Sequence, residues 1–166
     1  MGAESGVAPL NGRFAGREAF VRLLGGAFER AAREGWSELM ISDASFEDWP
    51  LRDAATVQSL QAWARPGRRL VMLAGRFDRV LRDHPRFVTW RKTHSHLIDC
   101  RVSPAHTPGG PPSAFWSPHW FLHRTDLEAC SGEYGVDRPR WMALRESVAS
   151  VLRGSRPGFP ATTLGL

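Results

Sequence analysis

The sequence predicts an α/β domain: a mixed, largely parallel sheet held between helical layers. Three observations carry this. Segments with apolar residues at three- and four-residue steps alternate with short apolar runs, as helices alternate with strands in βαβ units. The run Leu70 to Ala74 is continuously apolar, which suits a strand covered on both faces. Two short aromatic runs flanking Ser117-Pro118 read as a hairpin that adds an antiparallel edge.

Taken in order, the first helix lies in "GREAFVRLLGGAFERAAREG", where Phe20, Leu23, Leu24, Ala27, Phe28 and Ala31 form one apolar face and Gly35 is the C-cap. Leu39-Met40-Ile41 is short and apolar and reads as a buried strand. Asp53 is positioned to cap a helix through "AATVQSLQAWA", stopped by the Pro66-Gly67 turn. After the strand at 70–74, helical patterning runs from Phe77, is interrupted at Pro85, and resumes with Phe87, Trp90 and His94. Ile98, Cys100 and Val102 then alternate with Asp99 and Arg101, the pattern of a half-exposed strand. Residues 103–113 form a Pro/Gly-rich loop, "AFW" and "HWFL" make the hairpin, and an irregular segment leads to Asp137, an N-cap. The last helix carries Trp141, Leu144, Val148, Val151 and Leu152 on one face. The expected organisation is a tail over 1–15, one domain over 16–153 and a tail over 154–166.

At 166 residues, with 42% apolar and 23% charged, the chain has the balance of one globular domain. No apolar run approaches the roughly 18–20 residues needed to span a bilayer. The N-terminus lacks the basic start and apolar stretch of a secretory signal. With only Cys100 and Cys130 present, both are expected to be reduced, in a cytoplasmic protein. Lys92 is the sole lysine among 22 basic residues, so 21 are arginine, against 17 acidic residues. Guanidinium forks match phosphate oxygens, but a GC-rich genome gives the same excess, and no block of like charge marks a nucleic-acid tail.

The segments "ELMISDASFEDWPL", "RRLVMLAG", "THSHLIDCRV", "SAFWSPHWFLHRTD" and the closing helix follow one another in an order that resembles one half of a phospholipase D-like fold. In particular the chain resembles small bacterial domains that keep this fold and lose its catalytic motif. The resemblance covers Arg17 to Leu152 and rests on order and texture. Active members use H-x-K-x-x-x-x-D, in which His attacks phosphorus, Lys holds a phosphate oxygen and Asp supports the site. Trp90 stands two positions before the only lysine, so the full motif is absent. On the hairpin its three slots are expected near Gly110, Pro112 and Ser117. The resemblance thus implies a scaffold without its usual phosphodiester chemistry, and a homodimer, since single-half members tend to pair.

The remaining chemistry is sparse. There is no G-x-S-x-G, H-E-x-x-H, P-loop or G-x-G-x-x-G. "THSHLIDC" offers two histidines, an aspartate and a cysteine, yet zinc needs three or four convergent ligands, and His94 continues a helix face. The segment reads as a helix–strand join with a core-facing histidine, and no metal or cofactor is expected. His119 and His123 are four apart, so on a strand they share a side with Phe121. His123, Arg124 and Asp126 form a polar cluster beyond that strand, with His123 and Asp126 the candidates for acid/base work. In open α/β sheets ligands sit beyond the carboxyl ends of strands. Asp43, Arg76 and His106 lie at those expected ends, and with Arg124 they are the candidate ligand contacts. Of seven tryptophans, Trp49, Trp116 and Trp120 fall near turns or an edge, where exposed rings could stack on bases or cover a partner, with interior or dimer burial the expected use.

The expected function is a non-catalytic binding or interaction domain, engaging a protein partner or its own copy. Two alternatives remain open: a hydrolase of phosphate-containing substrates using His123 and its neighbours, and an arginine-mediated nucleic-acid module.

Overall fold

The computed structural model describes residues 11–103 and 110–159. The elements in chain order are β1 (Gly12–Ala15), α1 (Arg17–Glu34), β2 (Glu38–Asp43), a 3-10 turn (Pro50–Arg52), α2 (Ala54–Trp63), β3 (Arg69–Ala74), α3 (Asp78–Asp83), α4 (Pro85–Thr93), β4 (Ile98–Val102), β5 (Ser113–Trp116), β6 (Phe121–Asp126), β7 (Ser131–Gly135), α5 (Arg138–Arg153) and β8 (Arg156–Pro157). The eight strands form one sheet in the order β1-β7-β6-β5-β2-β3-β4-β8.

The class is α/β and the sheet is mixed, as the sequence predicts. Its parallel share is smaller than expected: only β2–β3 and β3–β4 pair in parallel, and every other neighbour is antiparallel. The difference lies in short strands at both ends. β1 falls within the expected N-terminal tail, β8 within the expected C-terminal tail, and β7 within the segment read as irregular. None has an apolar pattern of its own. "SGEYG" of β7 becomes a strand because β6 and β1 flank it on both sides.

Where the sequence pattern is strong, the elements match it. α1 buries Phe20, Leu24, Ala27, Phe28 and Ala31, and Gly35 closes it in the left-handed conformation, donating to the Ala31 carbonyl. β3 is buried from Leu70 to Ala74. The Asp137 side chain accepts from the Arg140 N–H at the start of α5. His94 is the C-cap of α4, and β4 begins four residues later, so "THSHLIDC" is the helix–strand join.

Alternation along the strands divides the core in two. Ile41, Met72, Cys100, Phe115 and Leu122 face α1, α2, α3 and α4. Met40, Val71, Leu73, Ala114, Trp116 and Phe121 face the other way, toward Leu144 and Val148 of α5. Trp49, Trp116 and Trp120 are 1%, 3% and 6% exposed, so they belong to the core and not to an exposed stacking surface. Proximity to a turn in sequence does not decide depth: Trp49 packs edge-on against Phe20 and Phe46. No helix of the described residues is long and apolar enough to cross a membrane.

Candidate functional site

The C-terminal ends of β2 and β6 and the start of β5 lie at one end of the sheet, because β5 is antiparallel to both. On the face toward α1 this brings together Asp43, Ser113 and Arg124. Arg124 Nη2 donates to Asp43 Oδ1 at 2.9 Å, Nε to Ser113 Oγ at 2.9 Å, and Nη1 to Asp48 Oδ2 at 3.1 Å and toward Cys130 Sγ at 3.5 Å. The guanidinium also lies over the Phe20 ring, 4.3 Å from its centre. Asp43 Oδ2 accepts from the backbone N–H groups of Ser45 and Phe46, tying the loop after β2 to the same carboxylate.

A cleft of about 200 Å³ opens above this network, lined by Ala44, Ser45, Glu47, Pro111 and Leu127 as well. Burial alone favours the neutral form of Arg124, but the Asp43 charge and the hydrogen bonds that Arg124 donates to Cys130, Asp48 and Asp43 outweigh it and raise its pKa. Two of the residues expected to offer charge to a ligand, Asp43 and Arg124, are therefore paired with each other. Every nitrogen of the Arg124 fork is engaged within the protein, which makes the cluster a buried clamp between β2, β5 and β6.

The other candidates are dispersed. Arg76 forms an exposed pair with Asp78 at 3.4 Å, just past β3. Such a pair is worth little. His106 lies outside the described residues. His123 is opposite Ala114 and Glu133 on the α5 side of the sheet, whereas Arg124 points to the α1 side. Burial lowers the His123 pKa, with Glu133 opposing. Asp126 closes the turn into β7 by accepting from the Ala129 N–H at 2.9 Å. The expected cluster of His123, Arg124 and Asp126 thus does not form, since Arg124 lies inside β6 and successive residues of a strand point to opposite faces.

His119 is also not on the strand. Ser117 Oγ accepts from the N–H groups of His119 and Trp120 and donates to the Trp120 carbonyl, closing a tight turn so that β6 starts at Phe121. His119 instead stacks on Trp36, with ring centres 5.5 Å apart.

This placement exposes a spacing that the sequence reading missed. From the turn into β6 the chain runs His119-x-Phe121-x-x-x-x-Asp126, the spacing of H-x-K-x-x-x-x-D with phenylalanine in the lysine slot. The signal is the seven-residue interval from His119 to Asp126, which carries no lysine. Phe121 is 1% exposed and packs in the cluster with Leu144 and Val148 of α5. Beside the turn, Trp141 stacks on Trp116 with centres 5.1 Å apart, and their indole N–H groups donate to the Ser117 and Trp141 carbonyls. Arg138 and Arg145 lie over these two rings at 5.4 and 5.6 Å.

Among the described residues no three His, Cys, Asp or Glu side chains are grouped to hold a metal ion.

No protein-family model matches the chain, and no curated protein matches it in sequence. Solved structures do match in fold. TrmBL2, an archaeal chromatin protein, aligns with a TM-score of 0.64 at 11% identity, over 90% of this chain and 54% of that one. NucT from Helicobacter pylori aligns with a TM-score of 0.56 at 9% identity, over 89% of this chain and 98% of that one. The chain thus spans about half the length of TrmBL2 and nearly all of NucT. At these identities the likeness is one of fold alone.

Proposed function

We propose that the chain is a non-catalytic binding domain on a phospholipase D-like scaffold. The observation that carries this is Phe121. The motif needs a cation to hold a phosphate oxygen, and the side chain in that slot is an aromatic ring buried under α5. The neighbouring His119 is stacked on Trp36, and no lysine other than Lys92 exists to substitute. The test is hydrolysis of bis(p-nitrophenyl) phosphate and of labelled single-stranded DNA, each with and without added divalent metal. No turnover is expected. Turnover lost on His119→Ala or His123→Ala would instead establish a hydrolase.

One observation favours nucleic acid as the ligand. Along α5, Arg138, Arg145 and Arg153 are seven and eight residues apart, so they share one helix face. At 1.5 Å rise per residue their spacing is about 10–12 Å. All three are exposed, and none has an acidic partner among the described residues. Glu146 is the only acid in the helix. On α1, by contrast, Arg30 and Arg33 are paired with Glu34 and Glu29. A line of unneutralised guanidinium groups suits a phosphate backbone. TrmBL2, which aligns with this fold, is described as binding DNA. Fluorescence anisotropy with single-stranded and duplex DNA at low and near-physiological salt tests this reading. No binding at low salt would remove it.

A further inference from the structure

We propose that the outer edge of β4 is a docking groove for an extended peptide that ends in an aromatic residue with a free carboxylate. The chain's own segment Ser155–Phe159 fills this groove in cis. What the groove recognises can be read from how that segment sits. Arg156 and Pro157 pair antiparallel with Val102 and Arg101, and the Gly158 N–H donates to the Cys100 carbonyl at 3.0 Å. Arg101 reaches back over the segment, donating from Nε to Ser155 Oγ at 3.1 Å and from Nη2 to the Ser155 carbonyl at 3.0 Å. A side chain at position 158 would overlap the stiff, branched Val102, so glycine alone fits there. The Phe159 ring then enters the α3–α4 side, stacked on Phe77 at 4.9 Å and beneath the Arg91 guanidinium at 5.5 Å.

Arg91 shows what is missing. It is 6% exposed, yet it forms no ion pair among the described residues. Its Nη2 donates to the Phe159 carbonyl at 2.9 Å, while Nε and Nη1 meet no oxygen acceptor there and the guanidinium has only the Cys100 thiol beside it. A buried guanidinium without a counter-charge is unfavourable. The adjacent Cys100 does not supply one, since burial pushes its thiol up to about 12. A carboxylate at the position of the Phe159 carbonyl would bring negative charge and a second oxygen, the complement of a guanidinium fork. The cis segment offers only an amide carbonyl, and its strand pairing extends over two residues, against five for β4 with β3. Capture of an extended segment at a sheet edge, with specificity from alternate side chains and the terminal carboxylate, is a recurrent mode of peptide recognition.

The experiment uses the full chain and an N-terminally labelled peptide Ser-Arg-Pro-Gly-Phe, prepared as free acid and as amide. Gly158→Ala and Phe159→Ser, separately, weaken the cis segment without touching the groove. Both variants are expected to bind the acid about tenfold or more tighter than the wild type does, and to prefer acid over amide by about tenfold. Arg91→Met placed on either variant should bring the acid down to the level of the amide. Amide exchange in β4 should rise in the variants and fall again on adding the acid. Equal affinity for acid and amide, or no binding by either variant, overturns the proposal.

Discussion

Arg124 on β6 and Asp43 on β2 meet across the intervening strand β5, Nη2 to Oδ1 at 2.9 Å, with 4% and 6% of their side chains exposed. The same carboxylate holds the loop at Ser45 and Phe46, and the same guanidinium holds Asp48 and Ser113. Removing Arg124 leaves Asp43 buried without a counter-charge, and removing Asp43 leaves Arg124 only the more exposed Asp48. Asp43→Asn and Arg124→Met should each cost about 3–5 kcal/mol, and the double variant less than their sum. Arg124→Lys should also be poorly tolerated, because one ammonium cannot reproduce a fork with separate bonds from Nε, Nη1 and Nη2. Urea denaturation of the four variants measures this. Single variants within about 1 kcal/mol of wild type would show that the pair does not hold the sheet end together.

Phe121 yields a second prediction. Placing lysine at this position puts an ammonium among Leu144, Val148 and Trp116 and removes a fully buried ring. Phe121→Lys should lose about 3 kcal/mol or more and gain no phosphodiester turnover. Phe121→Leu should be milder. A thermal melt paired with a bis(p-nitrophenyl) phosphate assay decides the matter. A lysine variant of wild-type stability that turns over substrate would mean that this position can host a catalytic cation, and would overturn the non-catalytic reading.

The legible parts of the fold are those where one element's own residues define it. The α1 face with Gly35, the apolar run of β3 and the Asp137 cap are local, and each appears where its pattern lies. The illegible parts depend on partners distant in sequence. β1 has a single core residue, Phe14, and β7 is bounded by glycine, so only mutual pairing makes them strands. The site followed the same rule. Asp43 and Arg124 could be singled out as charged residues near strand ends, but their bond spans 81 positions and nothing local announces it. His119 was misplaced because Ser117, one hydroxyl making three hydrogen bonds, converts the start of an apparent strand into a turn.

His84 makes stability depend on pH. It is fully buried at the start of α4, with Nε2 2.8 Å from the Phe46 carbonyl, to which it donates, and Nδ1 without a partner. Burial lowers its pKa from the ordinary 6.5, and burial lowers those of His94 and His123 as well. A lowered folded value means that the unfolded chain binds more protons just below pH 6.5. Stability is then complete above that value and declines as pH falls toward the folded pKa. Thermal midpoints should drop as pH falls from about 7.5 to about 5.5, across the ordinary imidazole range. His84→Gln should flatten that slope while lowering the plateau. A flat profile for the wild type would mean that His84 is solvated enough to protonate freely in the folded state.

The α5 arginines give the last prediction, which concerns the form of binding and not its strength alone. Arg138 and Arg145 are braced over Trp141 and Trp116, so their side chains are partly ordered before any ligand arrives. Arg153 continues the same face one further pair of turns along the helix. If these three cations contact phosphates, each contributes released counterions. The slope of log affinity against log salt should then fall by about 0.7–0.9 for each arginine replaced by glutamine. Arg30→Gln, on the far side of the molecule and paired with Glu34, should leave the slope unchanged. Anisotropy titrations of each single variant and of the triple variant, at several salt concentrations, supply the slopes. Loss of affinity with an unaltered slope would assign the arginines to packing on the tryptophans, and equal effects from Arg30 would mark the binding as a consequence of net charge.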